Sequence, residues 1–167
     1  MKKSVFLFLI LISVSIWGQN LTMKELIALR EMSTTDTQSF LIKKGLVLEV
    51  FEEENKEEFG VMQFNYNKIE GYNPPNYSFI KYFSEKYSDD ERITIMSLDQ
   101  KKFEEYQIEV SKKYGDLIFS GNPEGIPTKV YQGEKLTFIF EITSKGNYKN
   151  IQNLSIYTNK DYNQNPF

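Results

Sequence analysis

The stretch SLDQKKFEEYQIEVSKKYGDLIFS, residues 97–120, predicts a helix, a glycine stop and a strand. Ser97 and Gln100 have the spacing of a capping box, in which the two side chains satisfy free amides of the first turn. Gly115 occupies the place of a left-handed helix stop, and residues 117–119 are predicted to form a short buried strand. The residues that fall on one stripe at helical spacing, and so face the core, are Phe103, Tyr106, Gln107, Val110 and Tyr114.

A shorter version of the same pattern lies earlier in the chain. Thr35 and Gln38 repeat the capping spacing, a Lys-Lys pair precedes Gly45, and residues 46–51 are predicted to form a strand. Gly45 and Gly115 are 115 − 45 = 70 positions apart, which indicates an internal duplication. Because helix, glycine and strand also follow one another in unrelated folds, an undivided domain stays an alternative. In a duplicated chain the two halves would be residues 19–96 and 97–158.

The first 18 residues are typical of a bacterial signal peptide. Lys2 and Lys3 form a basic start, residues 5–17 are almost wholly apolar, and Gly18 suits the cleavage point. The apolar run is shorter than the ~20 residues of a spanning helix, and the chain has no cysteine that a lipid could modify. We therefore predict an exported protein, periplasmic or extracellular, with no stable membrane insertion after signal cleavage.

The composition argues against several classes of function. Without the two lysines of the leader, the chain has 18 basic and 23 acidic residues, which gives a formal charge of −5. With only two arginines among the basic residues, this balance predicts no nucleic-acid binding. The absence of histidine and cysteine excludes Ser-His-Asp and Cys-His nucleophiles, histidine or thiolate metal sites and dithiol chemistry. We expect no cofactor and no metal, and we assign no catalytic residue.

Hydrophobic patterning predicts one α+β domain over residues 19–158, an antiparallel sheet of about eight short strands with helices on one face. The first helix, residues 20–32, begins with a capping box at Thr22 and Glu25. Residues 77–83 also fit a helix, but their aromatic and β-branched composition favours a strand. Residues 159–167 are predicted to be a loose tail. The predicted strands cover residues 46–51, 59–66, 77–83, 92–96, 117–119, 128–131, 135–142 and 151–157.

Acidic side chains supply the other candidate chemistry. Residues 161–165 place oxygen ligands on alternate positions, as at the start of an EF-hand loop, but Pro166 stands where that loop needs glycine. Residues 89–91 form a second acidic cluster. Solvated polar turns are the favoured interpretation of both. A pair of carboxylates could in principle hydrolyse a glycoside, which leaves a carboxylate-based hydrolase of envelope glycans as the alternative function.

Tyrosine is the residue type that points most directly to function. Five of the eleven tyrosines lie between residues 66 and 87. Tyrosine combines a rigid apolar ring with a polar tip and favours interfaces, although ordinary packing around a sheet is an alternative explanation. The candidate binding residues are Tyr66, Tyr72, Tyr77 and Tyr82.

The chain resembles uncharacterised exported proteins of Gram-negative bacteria. The features that carry the resemblance are the leader ending in Trp17-Gly18-Gln19, the leucine-rich first helix and the helix-Lys-Lys-Gly-strand joint. At fold level it is similar to small exported inhibitor proteins built from tandem helix-plus-sheet units. The main hypothesis is an exported, non-enzymatic binding module for a protein or a cell-envelope polymer. A purely structural envelope component is a third possibility.

Overall fold

The computed structural model describes residues 21–56, 58–66, 77–84, 86, 91–145 and 148–164. The predicted strand at Tyr77–Phe83 is confirmed, and a short 3-10 turn, Pro123–Gly125, follows the fifth strand. The helices are α1 (Met23–Glu31), α2 (Thr34–Lys43), α3 (Gln100–Lys113) and α4 (Asn159–Gln164). The strands are β1 (Val47–Glu52), β2 (Gly60–Tyr66), β3 (Tyr77–Phe83), β4 (Arg92–Ser97), β5 (Asp116–Gly121), β6 (Thr128–Gln132), β7 (Leu136–Lys145) and β8 (Tyr148–Thr158).

The strands of the described chain form a single antiparallel sheet in the order β1-β2-β3-β4-β8-β7-β6-β5. The predicted α+β class and antiparallel sheet are therefore confirmed, with eight strands. Each run of four consecutive strands is a meander in which sequence neighbours pair. The two meanders meet where β4 pairs with β8, at the centre of the sheet. Consequently β1 and β5 are the outer strands.

The two faces of the sheet carry separate apolar clusters. Side chains from α1, α2 and α3 share the main cluster with Phe138 and Phe140 of β7. Ile139, between these two phenylalanines, belongs to a second cluster with Tyr162 of α4. Because successive strand residues point to opposite faces, the second cluster lies on the face turned away from α1–α3. The expectation that all helices lie on one face is therefore not confirmed.

Helix α1 begins as the sequence predicts. Thr22 accepts a hydrogen bond from the amide of Glu25 at 3.2 Å, and the Glu25 carboxylate accepts one from the Thr22 amide at 2.8 Å. The same carboxylate forms an ion pair with Lys44 of the α2 end at 2.7 Å. Burial raises the pKa of Glu25, but the hydrogen bonds from Lys44 and Thr22 outweigh burial and lower it below 4.5. This capping box fastens the start of α1 to the end of α2.

The predicted caps of the other two helices were wrong by a few residues. Asp99, and not Ser97, caps α3 by accepting from the amide of Lys102 at 3.1 Å. Ser97 is the last residue of β4, and its hydroxyl accepts from the Asp99 amide at 2.9 Å. Ser33, and not Thr35, caps α2. In both cases a second cap-forming residue lies close by, so the spacing rule alone does not select the first turn.

Gly115 is not the left-handed stop that the sequence predicted, since the described glycines with positive φ are Gly45 and Gly125. It is needed because two backbone segments touch. A Cβ on Gly115 would lie 2.6 Å from the carbonyl carbon of Gln132, and one on Gly133 would lie 1.9 Å from the carbonyl oxygen of Tyr114. The end of α3 therefore crosses the β6–β7 turn at a distance that only glycines permit.

Strand β5 is not buried, contrary to prediction. Leu117 and Ile118 are 52% and 50% exposed. The strand pairs with β6 and is the last of its side of the sheet, so one of its edges has no described neighbour. A continuous apolar run predicts a strand but does not say where in the sheet it lies.

Residues 159–164 are likewise not a loose tail, because they form α4. Asp161 is 2% exposed and Tyr162 is 8% exposed. The carboxylate of Asp161 accepts two hydrogen bonds from the guanidinium of Arg92, at 2.6 and 2.7 Å. This contact, together with the packing of Tyr162 on the second cluster, fixes the helix to the sheet. Because the two charges are 69 positions apart, the sequence pattern did not predict this contact.

Candidate functional site

The acidic residues considered as metal ligands are engaged elsewhere where the structure describes them. Asp161 binds Arg92, and Glu91 forms an ion pair with Lys81 at 2.8 Å. Asp89 and Asp90 lie outside the described residues, as do residues 165–167. Within the described ranges, no group of three or more acidic side chains is arranged to hold a metal ion.

Lys81 is a buried cation with a structural role. Its side chain is fully buried, and its ammonium donates to the carbonyl oxygens of Leu29 at 3.1 Å and Arg30 at 3.0 Å, and also to that of Met32. Burial lowers the pKa of Lys81 below 10.5, while the carboxylate of Glu91 opposes that shift. The ammonium thus satisfies carbonyls at the C-terminus of α1, the end of the helix that favours positive charge.

The carboxylate alternative has one further candidate in Glu141 of β7. Burial raises its pKa above 4.5, and its register partner on β8 is Asn153. A raised pKa suits a general acid, but glycoside hydrolysis needs a second carboxylate across a cleft. The most buried carboxylate of the described residues, Asp161, already binds Arg92 with both oxygens. Hydrolysis therefore stays a prediction without a described pair of residues to carry it.

The candidate tyrosines do not share one surface. Tyr66 and Tyr77 are register partners on the helix side of the sheet. Tyr77 is 1% exposed within the main cluster, so its ring cannot contact a partner in this conformation, and Tyr66 packs partly buried against the same cluster. Tyr82 is half-buried and, five positions after Tyr77 on the same strand, points to the other face. Tyr72 lies outside the described residues.

Tyr82 belongs to a distinct patch on the face turned away from α1–α3. The register places Gln63, Ile80 and Thr94 side by side in one row across β2, β3 and β4. Met96 lies two residues beyond Thr94 on the same face. We define the open patch as the five half-buried, uncharged side chains Gln63, Ile80, Tyr82, Thr94 and Met96. Helix α4 contacts β7 and β8. It therefore lies over the strands that follow β4 in the sheet and not over the open patch.

An aromatic and cationic group borders the open patch. The guanidinium carbon of Arg92 lies 5.1 Å from the ring centre of Tyr157 and 5.4 Å from that of Phe59. Burial raises the pKa of Tyr157 above 10.0, although the charge of Arg92 opposes that shift. The Arg92 side chain is 25% exposed, and its bonds to Asp161 hold it in place. The open patch therefore has a rigid rim of one cation stacked on two rings.

Sequence reasoning identified Tyr82 but missed the rest of the patch. Thr94 and Met96 alternate with the buried Ile93 and Ile95, and that alternation is the signal that places them on the second face of β4. What the sequence does not give is the neighbour of each strand. Without the strand order, the residues of β2, β3 and β4 do not form one patch.

Comparison with protein-family models, curated proteins and solved structures found no match to this chain. The resemblance to exported proteins of Gram-negative bacteria stays a prediction. None of the helices in the described ranges is long and apolar enough to cross a bilayer.

Proposed function

We propose that the protein is an exported, non-enzymatic binding module that contacts a protein partner through the open patch. The observation that supports this best is the composition of the sheet face that contains the open patch. On the face turned away from α1–α3, the half-buried side chains of β2, β3 and β4 include a tyrosine and a methionine, and Arg92 is the one charged residue among them. Centres of protein interfaces are poor in charged residues and rich in tyrosine, methionine and arginine.

The rim strengthens this proposal. Arg92 stands beside Tyr157 on the same face, held by Asp161 and two rings, so binding would cost little side-chain entropy there. An open sheet face with an aromatic rim suits a macromolecular surface better than a small molecule, which prefers an enclosed cavity. The export of the protein remains a prediction from residues 1–18 and belongs to this proposal.

We also propose that the two meanders are a tandem duplication. Each contains a β-bulge in its outer strand, directly after Leu48 in β1 and directly after Leu117 in β5. From each of these leucines an equivalent row of cross-strand neighbours begins on the helix side. The first row is Leu48, Phe64, Phe79 and Ile95, and the second is Leu117, Tyr131, Phe138 and Ile156.

The proposed duplication agrees with the resemblance predicted from the sequence. Tandem helix-plus-sheet units are the architecture of the small exported inhibitors whose similarity to this chain is predicted from the sequence. Such a resemblance favours a binding role by analogy alone. The open patch itself is formed by one half of the sheet.

A matched pair of isoleucine substitutions tests the proposal. Ile80 lies in the open patch, whereas Ile108 is 53% exposed on α3. The immobilised protein is used to recover binding proteins from the envelope fraction of the producing cell. Ile80→Arg should reduce recovery of the same partner at least ~tenfold, because the charge enters the interface centre. Ile108→Arg should leave recovery unchanged.

Tyr82→Ala is a second variant that keeps the surface uncharged, and it should also weaken recovery. Circular dichroism and thermal unfolding confirm that each variant is folded before recovery is compared. Equal recovery by the wild type, Ile80→Arg and Tyr82→Ala contradicts the proposal. Equal loss in Ile80→Arg and Ile108→Arg contradicts it as well, because binding would then not depend on the open patch.

A further inference from the structure

The two outer strands of the sheet differ in the type of residue at the bulge of each strand. The bulges of β1 and β5 occupy equivalent places, after Leu48 and Leu117. The extra residue is Glu49 in β1, but it is Ile118 in β5. Charged side chains on an outer strand oppose pairing with another chain, whereas an exposed apolar edge favours it. The molecule therefore protects one edge by charge and leaves the equivalent position of the other apolar.

Strand β5 exposes a continuous apolar segment at this edge. Leu117 and Ile118 are 52% and 50% exposed. Phe119, which packs against the second cluster, is half-buried. Asp116 is the single charged residue of the strand and lies at its first position. In the described part of the chain, β5 pairs only with β6. Half of its backbone amides and carbonyls therefore face away from the sheet.

We propose that β5 is a self-association edge, where two copies of this chain pair their β5 strands antiparallel around a two-fold axis. The charge pattern of the strand fits its own copy. With the axis between Ile118 and Phe119, Asp116 of one copy lies opposite Gly121 of the other, so the two carboxylates are held apart. Ile118 and its own copy lie next to each other on either side of the axis, and Leu117 lies opposite Ser120. Like charges do not meet, and the apolar Ile118 of each copy lies beside Ile118 of the other on the same face.

The other edge of the sheet is less suited to pairing with its own copy. Strand β1 carries Glu49 at the bulge and Glu52 at its end. Antiparallel pairing of two β1 strands around Glu49 would place two carboxylates opposite each other, which is destabilising. A closed dimer with two-fold symmetry uses each β5 edge once. The product is one continuous sheet of two chains, with a charged β1 edge at either end.

Sedimentation equilibrium of the purified protein tests the dimer. Since pairing through one short strand is a small interface, we expect a concentration-dependent monomer–dimer equilibrium at ~1–200 µM. Ile118→Glu should raise the dissociation constant at least ~tenfold, because it puts on β5 the charge that β1 carries. Val47→Glu is the matched control, since Val47 is 65% exposed on β1, and it should leave the equilibrium unchanged.

Introduced cysteines test the register independently, because the natural chain has none. In the proposed pairing the two copies of residue 118 are one position out of register, with Cα atoms ~6 Å apart, which is within reach of a disulfide. The two copies of residue 116 are five positions out of register and ~17 Å apart. Under mild oxidation Ile118→Cys should therefore form covalent dimers, and Asp116→Cys should not.

Three results would overturn the proposal. The first is a monomer at every concentration up to the highest. The second is a dimer that Ile118→Glu and Val47→Glu affect equally, since its interface would then not be specific to β5. The third is equal cross-linking at residues 116 and 118. None of these results bears on the open patch, which lies on a sheet face formed by β2, β3 and β4, so the binding proposal is tested separately.

Discussion

The substitution Lys81→Met removes the ammonium that joins β3 to the end of α1. Lys81 is fully buried and contacts four acceptors, which are the carbonyls of Leu29, Arg30 and Met32 and the carboxylate of Glu91. Methionine fills a similar volume but donates no hydrogen bond. The carbonyls at the helix end and a carboxylate that is only 16% exposed then lose their partner. Breaking a buried pair by removing one member costs about 3–5 kcal/mol.

Equilibrium unfolding in urea measures this cost. We expect the free energy of unfolding to fall by about 3–5 kcal/mol, and the melting temperature by roughly 6–20 °C for a chain of this size. Lys149→Met, at an exposed position of β8, is the matched control and should change stability by less than ~0.5 kcal/mol. Adding Glu91→Gln to Lys81→Met should recover part of the loss, because the buried carboxylate no longer carries an unpaired charge.

A loss below ~1 kcal/mol for Lys81→Met would refute this reasoning. It would mean that water or a local shift of α1 replaces the ammonium at no significant cost. Hydrogen exchange of the α1 amides gives a second measure, since α1 should open more readily in Lys81→Met and remain unchanged in Lys149→Met.

Three further substitutions test other contacts. Gly133→Ala should destabilise the protein by at least ~1–3 kcal/mol in urea unfolding, because its Cβ would lie 1.9 Å from the carbonyl oxygen of Tyr114; a neutral effect would contradict the crossing described. Asp161→Asn should cost about 1.5–3 kcal/mol, since Asn offers Arg92 one uncharged acceptor in place of a carboxylate that accepts two bonds. It should also speed hydrogen exchange in α4, and unchanged exchange there would contradict the anchoring. Burial raises the pKa of Tyr106 well above 10.0, so the folded state favours the neutral phenol. That contribution is complete below pH 10.0 and is lost as the pH rises further, so thermal scans from pH 8 to 11 should show a steeper alkaline fall in the wild type than in Tyr106→Phe. Equal slopes would exclude this tyrosine as a cause.

Local signals in the sequence predicted much of the fold. The capping box of Thr22 and Glu25 and the strand Tyr77–Phe83 are both present. These features depend on residues within a few positions of one another, where hydrogen-bond geometry and side-chain alternation act directly. The class of the domain followed from the same signals, because short patterned strands separated by helices favour an antiparallel α+β arrangement.

Features that depend on distant contacts were not predicted. The apolar run of β5 gave no sign that it would lie at the edge of the sheet, and Gly115 was explained by a helix stop when the contact with Gln132 decides it. The ion pair between Arg92 and Asp161 turned the predicted tail into α4. In each case the deciding partner lies at least 17 residues away along the chain or is fixed by the strand order.

The candidate site shows the same division. Clustering in the sequence selected Tyr66, Tyr77 and Tyr82 together, but clustering does not distinguish the faces of a strand. Tyr77 and Tyr82 are an odd number of positions apart and therefore point to opposite faces. That parity could have separated them from the sequence alone. The association of Tyr82 with Thr94 required the pairing of β3 with β4.

Site-specific photo-cross-linking in the producing cell tests the central claim, which is that the open patch contacts a protein. A photoreactive phenylalanine derivative replaces Tyr82 in one variant and Ile108 on the opposite side of the molecule in another. We predict a discrete adduct with one protein from position 82 and none from position 108. No adduct from position 82, or the same adducts from both positions, would contradict the claim that this protein works through the open patch.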